Sequence, residues 1–363
     1  MSEGAESLTT NLIASPNLKE ALVEIEHQLR LRPFRPHPLF AGGHAQTLAA
    51  YLWPRRFTLR AQRRDPIRLF EVEPNVHLLA RCRWQPDRRA HPTLVLVHGF
   101  EGSISSVYML GTAEKAFRAG FNVVRLNMRT CGGTEHLTPT LYHSGQTRDF
   151  DRVLRELRER DRLAQLFLVG FSMSGNMALR LVADYGATEF PELLGIVAVS
   201  PSLDLSACAD AIERRANRLY QWSFLNSLRR RMRLKHRLHP ELYDLRPLRQ
   251  VRTIRDFDEC YTTAHGGYRS AAEYYAMTSA KDHLSRIRRP TLIIQAQDDP
   301  LVPFDSFPHE AIKSNPHIIM LAPRSGGHVG FLATPNGGED RWWAENRIVD
   351  FCRLLHQYAN HSR

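Results

Sequence analysis

Between residues 93 and 357 the chain repeats one pattern, in which a short apolar run is followed by a longer stretch with helical apolar spacing. Short continuous apolar runs are typical of strands buried on both faces, and helical connections between such strands produce a mostly parallel sheet. The apolar runs lie at 93–97, 121–126, 166–169, 196–199, 291–295 and 318–321, and the helical patterns at 108–119, 146–160, 176–185 and 341–357. We therefore expect an α/β protein whose sheet is covered by helices on both faces.

The chain before residue 93 follows a different pattern. Residues 18–31 have the spacing of an amphipathic helix, within a segment 1–32 that we expect to be peripheral. Residues 33–54 are rich in proline and predict a loop. Strand-like runs at 57–61, 68–71 and 76–84 then predict antiparallel hairpin strands beside the parallel sheet.

The stretch from about 202 to 290 interrupts the alternation. It is helical, basic and aromatic and has no buried-strand run, although sheet strands are predicted on either side of it. Such an insertion predicts a helical cap on one domain spanning 33–355, followed by a tail at 356–363. The chain has no internal repeat and no low-complexity linker, which argues against two independent domains.

Composition narrows the class of protein. With 363 residues, of which 43% are hydrophobic and 24% charged, the chain has the composition of an ordinary soluble globular protein. No apolar run approaches the roughly 18 residues needed to span a bilayer, and the first 17 residues are polar and acidic rather than signal-like. The five cysteines are scattered and lack CxxC spacing. We expect a cytoplasmic protein with reduced thiols.

The net charge of +11 is concentrated in one region. Residues 211–256 contain 13 Lys+Arg and 4 Asp+Glu, centred on the run R-R-R-M-R-L-K-H-R at 229–237. The plainest interpretation is a solvated helical face, and the alternatives are weak contact with an anionic membrane surface or an anionic substrate. We expect no nucleic-acid binding, because the chain has no helix-turn-helix, finger or RNP-type motif.

The segment L-F-L-V-G-F-S-M-S-G-N at 166–176 carries the strongest chemical signal. An apolar run ends at Gly170, Ser172 follows between small neighbours, and a helical pattern begins directly afterwards. This is the layout of a nucleophile elbow, G-x-S-x-G, with Ser174 in place of the last glycine. Small flanking residues are expected because a Cβ there would collide with the strand or the helix. Ser174 is the alternative nucleophile, but a glycine would then be missing on its other side.

A serine hydroxyl needs a base and an acid that orients the base, and elbow-type hydrolases carry them in the order Ser, Asp/Glu, His. After the apolar run 291–295 comes D-D-P at 298–300, and after the next run comes G-G-H at 326–328. Both segments follow predicted strand ends, where open α/β sheets place their sites. We expect Asp299 as the acid, with Asp298 as the alternative, and His328 as the base, whose glycines allow close approach to the sheet.

The oxyanion of an acyl-transfer intermediate needs two N–H donors. We expect one from Met173, after the nucleophile, and one from Phe100 in the loop H-G-F-E-G-S at 98–103. His98 is predicted to be a structural hydrogen-bonding residue. No zinc-type spacing, EF-hand loop or phosphate-binding glycine loop is found, so we expect neither a metal nor a cofactor.

Taken together, these motifs resemble the YheT-like group of α/β-hydrolases over about residues 33–355. Besides the elbow, the resemblance rests on G-H-A-Q-T at 43–47, H-G-F-E-G-S at 98–103, N-M-R-T-C-G-G at 127–133, Y-H-S-G at 142–145, D-F-D at 256–258, E-Y-Y at 273–275, D-D-P at 298–300 and G-H at 327–328. It implies the α/β-hydrolase fold and a triad of Ser172, Asp299 and His328. Two positions depart from the family, since Ser174 and Thr130 stand where the family has glycine.

Eukaryotic relatives in this group are often membrane-anchored lipid esterases or medium-chain ester synthases. The resemblance therefore implies a serine esterase acting on a small-molecule or lipid ester with a short- to medium-length acyl chain. Two alternatives remain, namely acyl transfer to an alcohol and a non-catalytic hydrolase-like binding protein. The sequence makes no prediction of the oligomeric state.

Overall fold

The computed structural model of the protein describes residues 17–55, 64–185 and 189–361. Its strands are β1 (Ile67–Glu73), β2 (Val76–Arg83), β3 (Thr93–Val97), β4 (Asn122–Leu126), β5 (Leu166–Phe171), β6 (Leu193–Val199), β7 (Thr291–Ile294) and β8 (Ile318–Leu321). They form one sheet in the order β1-β2-β4-β3-β5-β6-β7-β8. β2 pairs with β1 and β4 in the antiparallel sense, and the other neighbours are parallel. The predicted mostly parallel sheet with antiparallel N-terminal strands is thereby confirmed.

Helices cover both faces of this sheet. They are α1 (Leu18–Arg30), α2 (Gly43–Leu52), α3 (Val107–Arg118), α4 (Thr147–Glu159), α5 (Met173–Asp184), α6 (Leu205–Glu213), α7 (Arg218–Leu238), α8 (Ile254–Phe257), α9 (Thr263–Gly266), α10 (Ala271–Thr278), α11 (His309–Ser314) and α12 (Trp343–His361). A π-helix, Asp258–Thr262, joins α8 to α9. Five short 3₁₀ helices lie at Glu135–Leu137, Arg215–Asn217, Pro247–Arg249, Lys281–Arg286 and Phe304–Ser306.

Strand β3 shows how the two-sided core forms. All five of its residues are buried, and successive side chains point to opposite faces of the sheet. Val95 and Val97 belong to one apolar cluster with residues of α4 and α5. Leu94 and Leu96 belong to a second cluster with residues of α1, α3 and α12. A strand covered on both faces needs this unbroken apolar run, which is why the sequence pattern identified the central strands.

Within the described residues, the interruption after β6 consists of helices and the loops between them, without a strand. Helices α6 to α10 lie between β6 and β7 along the chain, and we call residues 202–290 the cap. The cap has an apolar cluster of its own, in which Leu225, Leu228 and Met232 of α7 pack with Tyr243 and Phe257. Among the helices of residues 17–55, 64–185 and 189–361, none is long and apolar enough to cross a membrane.

The structure corrects several sequence expectations. The predicted loop at 33–54 contains helix α2, because the prolines flank residues 43–52, which are proline-free and rich in alanine and leucine. Helix α1 packs its apolar face into the core beside α12. Helix α12 continues to His361, so most of the predicted tail is helical. The strand predicted at 57–61 lies outside the described residues.

Candidate active site

Ser172 lies on a tight turn between β5 and α5. Its backbone angles are φ 55° and ψ −117°, a conformation that residues other than glycine rarely adopt and that holds a side chain away from the strand. A Cβ on Gly170 would overlap the Ser174 carbonyl, so the glycine before the nucleophile is required. A Cβ on Gly99 would come within 3.0 Å of the Ser172 Cβ. Both glycines therefore allow the backbone to crowd around one serine.

Ser174, where the family has glycine, does not face the substrate side. The residue is fully buried. Its Oγ accepts a hydrogen bond from the Phe171 N–H at 2.8 Å and donates to the Val97 carbonyl at 2.7 Å. The side chain thus links the ends of β5 and β3 beneath the nucleophile. The expectation that any Cβ collides at this flank is wrong, because this Cβ points between the two strand ends.

The three residues of the implied triad lie together at the carboxyl edge of the sheet. His328 Nε2 is 3.0 Å from Ser172 Oγ, and His328 Nδ1 is 2.9 Å from Asp299 Oδ2. The Asp299 side chain is fully buried, and the His328 side chain is 14% exposed. Asp298 points elsewhere, since its Oδ1 accepts the Gly327 N–H at 2.9 Å. The geometry brings Asp299, rather than Asp298, to the histidine.

Backbone groups hold the Asp299 carboxylate. Its Oδ1 accepts the N–H groups of Leu301 at 2.9 Å and Val302 at 3.0 Å. This leaves Oδ2 directed at the histidine. With Nδ1 donating to Oδ2, the lone pair of His328 lies on Nε2 and faces the serine hydroxyl. In this tautomer the imidazole can act as a general base.

Helix α2 supports the histidine loop, a role that the sequence did not reveal. Thr47 Oγ1 accepts the His328 N–H at 2.9 Å. A Cβ on Gly327 would overlap the Gly43 carbonyl, and a Cβ on Gly43 would overlap the Asp298 carbonyl. We expected the glycines near His328 to allow close approach to the sheet. This is wrong for Gly327, which lies closest to α2. The G-H-A-Q-T segment at 43–47 was noted in the sequence, but the sequence alone did not indicate its role.

Two further serines lie near Ser172 and His328 and were not anticipated. Ser202 Oγ lies 3.4 Å from Ser172 Oγ. Ser200 Oγ accepts the Val329 N–H at 3.1 Å, next to the histidine. Both follow β6, so their position just past the end of a predicted strand was the available signal.

The loop after β3 offers an unused backbone donor. Within the described residues, the Phe100 and Met173 N–H groups donate to no other group. Their neighbours are engaged, since the Gly99 N–H donates to Tyr108 Oη at 3.0 Å and the Glu101 N–H donates to Tyr142 Oη at 3.3 Å. Met173 begins α5, where N–H groups lack an intrahelical acceptor. Two free donors beside the serine are what an oxyanion requires.

His98 is a structural residue, as predicted. The ring is fully buried, Nδ1 donates to the Gly99 carbonyl at 2.8 Å, and Nε2 accepts the Met128 N–H at 3.1 Å. Burial lowers the pKa of His98 to about 4. A neutral ring with both nitrogens engaged fixes the loop and leaves no nitrogen for the substrate.

The basic run of α7 is only partly a solvated face. Arg231 is buried, forms an ion pair with Glu101, and donates from Nε to the Thr130 carbonyl at 3.0 Å. The Glu101 carboxylate also accepts the Tyr142 hydroxyl at 2.7 Å. Glu101 and Thr130 have φ of 56° and 58°, in the left-handed region. Arg231 therefore joins the cap to two strained loops, one of them next to Phe100.

A narrow cavity opens between the sheet edge and the cap, next to Met173, the residue that follows Ser172. It is lined by Phe100, Leu141, Tyr142, His143, Met173, Leu228, Arg231, Phe257, Asp258, Thr262 and Tyr274. Phe100 and Met173 place it at the proposed oxyanion donors. Its other walls come mostly from the cap.

Comparisons with known proteins identify the family of the chain. The family model described as alpha/beta hydrolase fold matches residues 92–334. The chain is 34% identical to the candidate esterase YheT of Escherichia coli, over 88% of this chain and 92% of that protein. It is 30% identical to a monoacylglycerol lipase of Saccharomyces cerevisiae, over 74% of this chain and 60% of that protein.

A solved structure shares the fold at low sequence identity. The Pyrococcus furiosus esterase Pf2001 superposes with a TM-score of 0.54 at 16% identity, covering 82% of this chain and 95% of that one. At such identity the similarity concerns the arrangement of strands and helices alone.

Proposed function

The chain belongs to the α/β-hydrolase family, in the group that includes YheT of Escherichia coli, and is a carboxylic ester hydrolase; we propose that Ser172 is its nucleophile, His328 its base and Asp299 its orienting acid. The observation that carries this proposal is the position of the His328 ring. Its two nitrogens lie 3.0 Å from Ser172 Oγ and 2.9 Å from Asp299 Oδ2. One ring thereby connects a strained serine to a buried carboxylate.

The reaction follows from these contacts. Ser172 Oγ attacks the ester carbonyl while His328 Nε2 takes the hydroxyl proton, and the N–H groups of Phe100 and Met173 stabilise the oxyanion. The protonated imidazole then gives its proton to the leaving alkoxide, and an acyl-enzyme remains. Water, deprotonated by the same nitrogen, attacks the acyl-enzyme, and the returning proton restores the Ser172 hydroxyl. Asp299 stabilises the charged imidazole in both halves.

The apolar part of the cavity wall supports a short- to medium-length acyl chain in a small-molecule or lipid ester. Apolar side chains from Leu141, Leu228 and Phe257 contribute to its walls. A series of model esters with increasing acyl length, scored by kcat/KM, tests this part of the proposal. A flat profile across the series would contradict a size limit set by the cap.

Labelling with a fluorophosphonate tests the nucleophile. Wild-type protein should be labelled and turn over esters, and Ser172→Ala should do neither. The matched control is Ser202→Ala, because the two hydroxyls are 3.4 Å apart and a probe could reach either. Labelling that persists in Ser172→Ala and disappears in Ser202→Ala would overturn the assignment. Unlabelled wild-type protein would favour a non-catalytic binding protein instead.

Acyl transfer to an alcohol uses the same three residues. Adding ethanol to the ester assay and measuring the new ethyl ester against the free acid separates transfer from hydrolysis.

Contact with an anionic membrane and a cytoplasmic location stay predictions. The exposed Arg230, Arg233 and Arg237 of α7 support the former, whereas the buried Arg231 and Lys235 of the same run serve interior contacts.

A further inference from the structure

The cavity next to Met173 contains a buried acid that the proposed reaction does not use. Asp258 of the cap is 9% exposed and lines the same cavity as Phe100 and Met173. It is the first residue of the π-helix Asp258–Thr262. Single π-turns within helices often occur at functional sites, because the wider turn redirects side chains. A carboxylate in a cavity next to a nucleophile therefore calls for a chemical explanation.

Hydroxyl groups alone hold this carboxylate. Its Oδ1 accepts from Thr262 Oγ1 at 2.6 Å, and its Oδ2 accepts from Tyr275 Oη at 2.7 Å. Among the ion pairs of the described residues, none includes Asp258, and nearby Arg255 pairs with Asp210 instead. Each carboxylate oxygen can accept more than one hydrogen bond, so capacity remains on the cavity side.

The other charged group of the cavity differs in this respect. Arg231 is neutralised by its ion pair with Glu101 and also donates to the Thr130 carbonyl. The cavity therefore presents a ligand with a carboxylate that can accept further hydrogen bonds, and not with a net positive charge.

His143 also lines this cavity and has one ring N–H. Its Nδ1 accepts the Gly145 N–H at 3.2 Å, which places the ring proton on Nε2. Burial is the largest cause that lowers the pKa of His143 to about 4, so the ring is neutral. A neutral donor and a carboxylate in one cavity complement a hydroxyl group, which both accepts and donates.

We propose that this cavity receives a part of the ester that carries a hydroxyl group, and that Asp258 accepts a hydrogen bond from it. The proposal rests on the proposed function of Ser172 and names a class of substrate for that site. A plain alkyl chain in the same cavity would bury the carboxylate oxygens against methylene groups without replacing the hydrogen bonds of water. Sites built to bind a substrate hydroxyl reject the analogue without it by large factors.

Two matched substrate pairs test the proposal. One pair carries the group on the acyl side, as the p-nitrophenyl esters of 3-hydroxybutyrate and butyrate. The other carries it on the alcohol side, as the 2-hydroxyethyl and ethyl esters of butyrate. Wild-type protein should favour the hydroxylated member of one pair by about tenfold or more in kcat/KM. The pair that shows the preference identifies which side of the ester enters the cavity.

Variants then connect the preference to Asp258. In Asp258→Leu the ratio should fall to about one, chiefly through faster turnover of the plain ester. If the leucine variant does not fold, Asp258→Asn should still reduce the ratio, because the amide has one acceptor oxygen. Asp210→Asn, an exposed cap acid that pairs with Arg255, is the matched control and should keep the wild-type ratio.

Ratios near one in both pairs for the wild-type protein, or a preference that survives in Asp258→Leu, would overturn the proposal. Either result requires measurable ester turnover, whereas failure of the proposed function would leave every ester intact and Ser172 unlabelled. The two failures are therefore distinguishable.

Discussion

Two buried carboxylates, one at the edge of the sheet and one in the cap, are held by different kinds of donor. Asp299 accepts two backbone N–H groups through Oδ1, and through Oδ2 it accepts the ring of His328 and, at 3.4 Å, the Gln295 amide. Asp258 accepts the side-chain hydroxyls of Thr262 and Tyr275. Backbone donors exist whatever side chains the loop carries, so the path of the chain fixes Asp299. The donors to Asp258 disappear with single substitutions, which makes the cap the region in which substrate preference can change while the chemistry stays constant.

The largest expected effect lies at the sheet edge. Asp299→Asn should lower kcat by roughly 10³–10⁴-fold for every ester alike, because the amide favours the wrong tautomer of His328. The neighbouring variant Asp298→Asn should lose less than about tenfold, since its amide oxygen can still accept the Gly327 N–H. Steady-state kinetics on two esters of different size measure both variants. Equal losses in the two variants would remove the distinction between the acids.

The next effect lies where cap and sheet edge meet. Arg231→Met should leave Glu101 as an unpaired buried charge, which typically costs about 3 kcal/mol or more of stability. The loop that carries Phe100 should then lose its position, and kcat should fall by roughly 10- to 100-fold with KM little changed. Arg231→Lys should recover part of kcat, because it restores the charge without the guanidinium fork.

The double variant Glu101→Gln with Arg231→Met separates positioning from stability. Removing both charges should restore most of the lost thermal stability while kcat stays low. Recovery of kcat together with stability would mean that the pair acts on folding alone.

The sheet could be predicted from the sequence because each of its strands has a local sequence pattern. The continuous apolar runs predicted β3 to β8, and the strand-like runs before them predicted β1 and β2. The residues just past the strand ends gave Ser172, Asp299 and His328 as candidates for the site. Helix α2 was missed because flanking prolines dominated the pattern. Its function depends on a contact between Thr47 and His328, 281 residues apart, which no local pattern records.

The sequence partly indicated that two basic residues of α7 face the interior of the protein. Arg231 and Lys235 lie three and seven residues after Leu228, on the apolar face of the helix that also includes Met232. Their acceptors lie about 100 residues or more away along the chain, at Glu101 and at the Thr138 carbonyl. The local sequence does not show that these acceptors lie next to α7. A run of arginines therefore predicts a solvated face.

A smaller effect concerns the pH dependence of Asp258. Burial raises the pKa of Asp258 from the ordinary value of 3.8 to about 6. Since the folded state binds this proton more tightly than the unfolded chain, the contribution of Asp258 to stability is most favourable below about pH 4. It is progressively lost as the pH rises through 6.

Asp258→Asn does not titrate, so its stability relative to wild type should improve by roughly 2 kcal/mol between pH 4.5 and pH 7.5. Urea unfolding of the two proteins across this range measures the difference. A difference that is constant with pH would show that Asp258 is ionised as readily as an exposed acid.

The smallest effect concerns the glycine position of the elbow. Ser174→Gly should cost about 1–2 kcal/mol of stability, because the Phe171 N–H and the Val97 carbonyl lose their partner. Ser174→Ala retains the Cβ and isolates the contribution of the hydroxyl. Both variants should keep kcat within about threefold and leave the substrate ratios unchanged. A shift in acyl-chain preference in either variant would place Ser174 in contact with the substrate after all.

The contact between α2 and the histidine loop also affects the order in which the protein folds. During synthesis Thr47 and the elbow leave the ribosome long before His328, so both can fold before the histidine that completes the site is present. Loop closure over 281 residues is entropically unfavourable until the intervening sheet has formed. Hydrolytic activity should consequently arise late in folding. A refolding time course followed by ester cleavage would lag one followed by secondary structure.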